Sequence, residues 1–176
     1  MSESLAGMAT RSDRVRIRAA EPGDVEQIFA WIVELAEYER SPESVLGTPD
    51  LLAQALFGTH RSAEAVIAEV AGEPAGFALF HGTFSTWECR PGLWLEDLYV
   101  PPERRRAGVG AALLAHLAAI VLERGCARLE WAALDWNTPA LAFYEELGAA
   151  LLAEWRLHRL DGGALERVAR ARDQGT

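Results

Sequence analysis

The stretch of this chain richest in reactive side chains lies at 95–111 and reads Leu95-Glu96-Asp97-Leu98-Tyr99-Val100-Pro101-Pro102-Glu103-Arg104-Arg105-Arg106-Ala107-Gly108-Val109-Gly110-Ala111. Two adjacent carboxylates precede a double-proline break. Three arginines and two glycines then open an apolar helical run. The glycines let backbone N–H groups face outward without side-chain obstruction, and a helix N-terminus carries partial positive charge. The turn therefore suits an anion such as a pyrophosphate. Arg105 or Arg106 would add a direct charge. A helix simply capped by small residues would read similarly. The dinucleotide fingerprint is absent, because it needs glycine where Leu113 stands and an early first strand. Glu96 and Asp97 are strand neighbours and point to opposite faces unless the strand is bulged there. A regular strand would thus send only one of them into a cleft.

The elements that must position this stretch alternate between strand and helix, which predicts a mixed α/β sheet. Val15 and Ile17 alternate with arginines in a first strand at 14–18. Asp24 is placed to cap a helix that brings Val25, Ile28, Phe29, Ile32, Leu35 and Ala36 to one face and ends near Arg40. Thr48-Pro49 opens a second helix with Leu51, Leu52, Ala55 and Leu56 inward and Gly58 at its close. Residues 63–70 and 75–83 read as a hairpin about Ala71-Gly72-Glu73-Pro74. An irregular stretch at 84–91 leads into a strand at 92–100. A helix over 108–124 buries Leu113, Leu114, Leu117, Ile120 and Val121 and is closed by Gly125. There follow a strand at 128–133 and a helix from Asn137-Thr138-Pro139 to Leu147, closed by Gly148. One or two strands within 149–160, and a short helix or frayed tail at 163–172, complete the chain.

Composition excludes several function classes. The chain has 176 residues, 50% of them apolar, enough for one domain with a single core. No run of about 18 apolar residues offers a membrane span. Residues 1–13 are polar and small and lack the apolar run of a signal peptide, so they read as a flexible leader to a domain at 14–172, and the cytoplasm is the expected compartment. All 17 basic residues are arginine. Without lysine there is neither a Schiff-base mechanism nor a P-loop. Cys89 and Cys126 form no CxxC pattern and read as free thiols in a reducing compartment. His60, His81, His116 and His158 fall outside metal-ligand spacing, so no metal is expected. The formal net charge of −9 at pH 7 argues against a nucleic-acid partner and is compatible with a cationic substrate.

The element order and the wording of 95–111 resemble the GNAT superfamily of N-acetyltransferases. Its pyrophosphate motif, Arg/Gln-x-x-Gly-x-Gly/Ala, is matched by Arg105-Arg106-Ala107-Gly108-Val109-Gly110, in place after the fourth strand. The resemblance covers 14–160. Within the superfamily the chain looks most like the diamine (spermidine/spermine) and thialysine N-acetyltransferases. That likeness is carried by Tyr38-Glu39 ending the first helix, Leu95-Glu96-Asp97-Leu98, Asp135-Trp136-Asn137-x-Pro139, and Phe143-Tyr144-x-x-x-Gly148-Ala149. The fold it implies is a single α/β (α+β) domain whose central mixed, mostly antiparallel twisted sheet has six to seven strands flanked by about four helices. It also implies acetyl-CoA as co-substrate, no metal, a small-molecule amine as acceptor, and no nucleic acid or membrane as partner. A homodimer is implied too, with 149–160 supplying an interface or an exchanged segment.

The resemblance assigns roles residue by residue. Leu98 and Val100, with Tyr99 between them, would present backbone groups to the pantetheine arm between splayed strands. Arg105, Arg106, Ala107, Gly108, Val109, Gly110 and Ala111 would cradle the pyrophosphate, and Asn137 would contact the cofactor near the next helix. Tyr144 would be the general acid that protonates the departing thiolate. Glu96 would be the base, directly or through water, and Tyr38, Glu39 and Asp97 would hold a cationic substrate. The chemistry asks for such groups independently. An alkylamine with a pKa of about 10 must lose a proton before it attacks a thioester. A carboxylate can take that proton and a phenol can return one at sulfur. A backbone N–H on the fourth strand would stabilise the oxyanion, and no covalent acyl-enzyme is required. Trp87, in the irregular stretch, is the candidate for a substrate wall, whereas Trp94, Trp131 and Trp136 read as packing residues. Cys89 has no partner base for a nucleophilic role.

Two departures bear on loop shape and specificity. Arg106 stands where diamine acetyltransferases carry glycine, which restricts φ and would either crowd the loop or bind the coenzyme A 3′-phosphate. The run Phe84-Ser85-Thr86-Trp87 lacks the acid that polyamine acetylases carry before this tryptophan. That shifts the expected acceptor toward a shorter one, a diamine, thialysine or another lysine-like amino acid, although Glu88 would partly compensate. Two other readings are acetylation of a protein N-terminus or lysine, and a catalytically silent acyl-CoA-binding regulatory module. Tyr144, Glu96 and Glu39 together count against the silent module.

Overall fold

A computed structural model describes residues 15–174; the leader expected at 1–13 lies outside them. The chain packs as two compact units that divide between Leu134 and Asp135. The first holds β1 (Arg16–Ala19), α1 (Val25–Tyr38), α2 (Pro49–Phe57), β2 (Glu64–Val70), β3 (Glu73–Ser85), β4 (Arg90–Tyr99), α3 (Val109–Glu123) and β5 (Leu129–Trp131). The second holds α4 (Thr138–Glu146) and α5 (Gly162–Arg170).

The strands lie in sequence order, β1-β2-β3-β4-β5. The first four are antiparallel neighbours and β5 joins β4 in parallel. The mixed, mostly antiparallel sheet is as expected, but among the described residues it has five strands rather than six or seven. Residues 149–160, expected to add one or two, form turn and coil. Their apolar side chains stay in solvent, with Leu151 83% and Leu157 75% exposed. β-Propensity becomes a strand only where a ladder and a packed face receive it, and here neither does. The hairpin strands also run further than the sequence suggests, so the irregular stretch shrinks to the few residues between Ser85 and Arg90. The C-terminal tail, open between helix and fraying, is helical as α5.

The sheet of the first unit carries an apolar layer on each face. Ile28 and Trp31 of α1 and Leu56 of α2 pack with Ala65, Ile67, Phe77, Leu79 and Tyr99, and the Trp31 and Phe77 rings stack 5.9 Å apart. Phe80 projects from the other face of β3 by strand alternation. There the Arg124 guanidinium at the end of α3 lies 5.9 Å from its ring centroid, and α3 packs on β2, β3 and β4. Val109, Leu113 and Leu117 of that helix are buried. Each such side chain contributes about 1.5–3 kcal/mol. Polar pins fix the element ends. The Arg18 fork donates to Asp24 at 2.6 and 2.8 Å and to Glu69 at 2.6 Å, tying β1 to the start of α1 and to β2. Thr48 caps α2 by accepting from the Leu51 N–H at 3.3 Å. Gly76 admits no side chain, since a Cβ there would sit 2.6 Å from the Tyr99 carbonyl oxygen. The two strands can close beside the site only because of it.

Candidate active site

The site is built on an irregularity in β4. Along β3 and β4 the register runs Phe80↔Leu95 and then Leu79↔Asp97, so Glu96 is an extra residue opposite no partner. This is a β-bulge, and it resets the alternation. Leu95 shares the face of Phe80, on the α3 side. Asp97 and Tyr99 share the face of Leu79 and Phe77, on the α1 side. Glu96 turns to that side as well, for its Oε2 lies 3.7 Å from Nε2 of His81, which shares the face of Leu79. The two adjacent carboxylates, which a regular strand would separate, are thus delivered together beneath the C-terminal end of α1.

That end supplies Tyr38, the last residue of the helix, and Glu39, its C-cap. The Asp97 carboxyl is pushed up to about 6, first by burial and then by the negative charges of Glu96 and Glu39. Burial also raises Glu39. Burial and the neighbouring negative charges thus raise the proton affinity of Asp97, which suits a group that must take a proton near neutral pH or neutralise a cation. Tyr99 serves a different end. Its side chain is buried, its hydroxyl donates to Glu34 of α1 at 2.7 Å, and burial together with that bond pushes it up to about 12. Its phenol therefore anchors β4 to α1, leaving its backbone for any contact with a ligand.

The anion-suited turn lies just beyond the C-terminal end of the same strand. Pairing of β4 with β5 extends only to Leu95↔Trp131, while β4 runs on to Tyr99. Beyond the proline break come Arg105, Arg106 and Ala107, all exposed, and then α3. Arg106 has φ 65 and Gly108 φ 78. Left-handed residues at a helix start turn successive N–H groups to one side and form an anion-binding concavity. A Cβ built on Gly108 would meet nothing within 4 Å, so this backbone stands open to an approaching group. The loop thus fits a pyrophosphate on its own geometry. Val109 contributes only its backbone there, because its side chain is buried, and Gly110 and Ala111 continue the first turn of α3.

Arg105 joins the two halves of the site. Its Nε donates to the Val100 carbonyl at 2.9 Å, and its guanidinium lies 5.2 Å from the centroid of the Tyr38 ring. Neither contact is visible in the sequence. They place Tyr38 under the anion loop as well as beside Glu39.

Other expected site residues fall elsewhere. Trp87 is at the tip of the β3–β4 hairpin, 85% exposed, and about 20 Å along β4 from Glu96 at roughly 3.3 Å per residue. Leu98 pairs with Ala78 and takes the α3 side of β4. In the second unit, Asn137 is the N-cap of α4, and its carbonyl accepts from the N–H groups of Ala140 and Leu141, both at 3.0 Å. Tyr144 lies on α4 with its ring 5.4 Å from that of Phe143. His81 is a residue that the spacing of side chains did not single out; the cross-strand register brings it to Glu96. Among the described residues no group of three or more His, Cys, Asp and Glu is arranged to hold a metal, and no helix is long and apolar enough to cross a membrane.

Comparison with known proteins bears directly on this arrangement. Residues 26–149 match the model of the acetyltransferase (GNAT) family. A thialysine N-epsilon-acetyltransferase of Bos taurus is 37% identical over 166 residues, covering 88% of this chain and 97% of its own. An L-ornithine N5-acetyltransferase of Arabidopsis thaliana is 28% identical and covers 87% of each chain. Among solved structures, an integron cassette protein from the mobile metagenome of V. cholerae superposes with a TM-score of 0.73 at 27% identity, over 89% of this chain and 98% of that one.

Proposed function

This chain belongs to the GNAT acetyltransferase family and is an N-acetyltransferase, and we propose that it transfers an acetyl group from acetyl-CoA to the terminal amine of a short cationic acceptor. The acceptor class is a diamine or a lysine-like amino acid such as thialysine or ornithine. The bulge at Glu96 carries this reading, because it sets Glu96 and Asp97 on one face beside Glu39. Relatives that act at N-epsilon of thialysine and at N5 of ornithine support an acceptor with its amine at the end of a short chain.

Acetyl-CoA, when bound, supplies the thioester whose carbonyl the amine attacks. The backbone from Arg105 to Ala111 and the arginine side chains hold its pyrophosphate, and the edge of β4 at Leu98, Tyr99 and Val100 holds its arm. Asn137 adds a contact near α4. Asp97, Glu39 and Tyr38 bind the acceptor's ammonium form by charge-assisted hydrogen bonds and ring contact. Glu96 takes the ammonium proton, and Tyr144 gives a proton to the departing sulfur. Trp87 would reach an acceptor only from a second copy or with a long acceptor. We expect a homodimer with 149–160 as its interface, and light scattering that gives a monomer at micromolar concentration would remove it. The free thiols Cys89 and Cys126 suit the reducing cytoplasm.

The test is thiol release from acetyl-CoA across thialysine, ornithine, lysine, putrescine, spermidine and a short peptide. Preferred turnover of one short amine supports the reading. Turnover of the peptide alone would move the acceptor to proteins, and binding of acetyl-CoA without turnover of any amine would reduce the chain to an acyl-CoA-binding module.

A further inference from the structure

We propose that His81 is the proton exit of this active site, acting through Glu96: the carboxylate takes the acceptor's proton and the imidazole passes it to solvent. The inference rests on the acceptor-site reading given above. Three observations carry it. The register of β3 and β4 sets His81 beside the bulge, with Nε2 3.7 Å from Glu96 Oε2. Its other nitrogen, Nδ1, lies 3.2 Å from the Gly82 carbonyl oxygen. A carbonyl only accepts, so that contact places an N–H at Nδ1, and in the neutral ring Nε2 then keeps its lone pair toward the carboxylate. Finally, the side chains are 38% exposed for His81 and 54% for Glu96, so both reach water and the imidazole can exchange a proton with it.

Each turnover leaves a proton on Glu96, and the group set beside that carboxylate to take it is His81. An acceptor amine enters as an ammonium, drawn by Glu39, Glu96 and Asp97. When it gives its proton to Glu96, an N–H bond breaks, its electron pair stays on nitrogen, and an O–H bond forms on the carboxyl. Glu96 must then be emptied before the next turnover. Asp97 is a poor recipient, because it lies beside two other carboxylates and would have to pass the proton on in turn. At Nε2 of His81 the O–H breaks as an N–H forms, and the imidazolium returns the proton to water. No atom or electron is left over. A lone pair aimed at a carboxylate is otherwise a repulsive arrangement, relieved only when a proton or water lies between them.

His81 acts through another residue, so the test must separate a proton path from mere packing. With the wild-type enzyme turning over its preferred amine, His81→Ala should lose about ten- to a hundredfold in kcat, at or below the low end for a positioned proton-transfer group. Its affinity for acetyl-CoA by calorimetry should not change. Added imidazole should restore turnover in a saturable way. His81→Gln, which keeps the bulk but not the titratable nitrogen, should be similarly slow and should not respond to imidazole. In a Glu96→Gln background, His81→Ala should cost little more, because the two act in series. Full activity of His81→Gln, or a deficit in His81→Ala that imidazole leaves untouched, would overturn the proposal and leave the acceptor-site reading standing. A wild-type enzyme inactive on every amine would bring down both.

Discussion

Two neighbouring stretches, one in the last residues of β4 and one just past its end, do opposite electrostatic work in this molecule. At the bulge, Glu96, Asp97 and Glu39 crowd negative charge under α1. A few residues on, the exposed arginines and the left-handed Arg106 and Gly108 turn backbone N–H groups outward at the start of α3. The first is an arrangement against local preference, in which burial and like charges lift the Asp97 carboxyl to about 6. The second is an arrangement with local preference, made by glycine, arginine and a helix start. One needs tertiary structure to hold it together; the other is written in consecutive residues. Arg105, lodged between the Val100 carbonyl and the Tyr38 ring, is where the two meet.

The contrast is broken most severely by deleting Glu96. Without the extra residue, Leu95 and Asp97 still fall on opposite faces and Tyr99 still reaches Glu34, so the strand should fold. Amine turnover should drop by about 10²–10⁴, the range for removal of a positioned base, while acetyl-CoA affinity stays within a few-fold. Stopped-flow thiol release and calorimetry on the same preparation check both halves. An active deletion variant would show that the bulge is not what builds the acceptor end.

The converse change is Gly108→Val. A branched side chain at φ 78 costs about 1–2 kcal/mol, which is roughly 5- to 30-fold in an equilibrium constant. We expect that loss in acetyl-CoA affinity by calorimetry, with thermal stability lowered by at most the same amount. An unchanged dissociation constant would place the pyrophosphate elsewhere.

The finest test is Asp97→Asn followed against pH. The folded protein holds the Asp97 proton up to about pH 6, against an ordinary value of 3.8. Between those values the native state binds more protons than the unfolded one, so the ionised group lowers stability as pH rises through that window. The shift corresponds to about 3 kcal/mol at most. Asn should therefore raise the melting temperature at pH 8 and show no advantage near pH 4, while weakening binding of a cationic amine. An advantage that persists undiminished at pH 4 would mean that ionisation is not the cause.

What the sequence made legible was the part that depends on neighbours in the chain. The order Arg105, Gly108, Gly110 ahead of an apolar helix marked the turn that opens α3, Thr48-Pro49 the start of α2, and Gly125 the end of α3. The bulge was visible only as a condition. Whether Glu96 pairs or is passed over depends on where Leu79 and Phe80 of β3 lie, and that register is set by packing on both faces of the sheet. The role of His81 was hidden for the same reason, since its partner is 15 positions away and reached across strands. Residues 149–160 mislead in the other direction. Their alternation suits a strand, but a strand also needs a neighbour to receive it.

The Arg18 fork between Asp24 and Glu69 has a last consequence. A lysine in that position would be a primary amine, the same functional group that the enzyme acylates, and its modification would cancel the charge that fastens β1 to α1 and β2. Guanidinium is never neutral in the working pH range and makes a very poor nucleophile. Because every cationic pin in this scaffold is an arginine, no side-chain amine of the protein competes with its substrate for the acyl group.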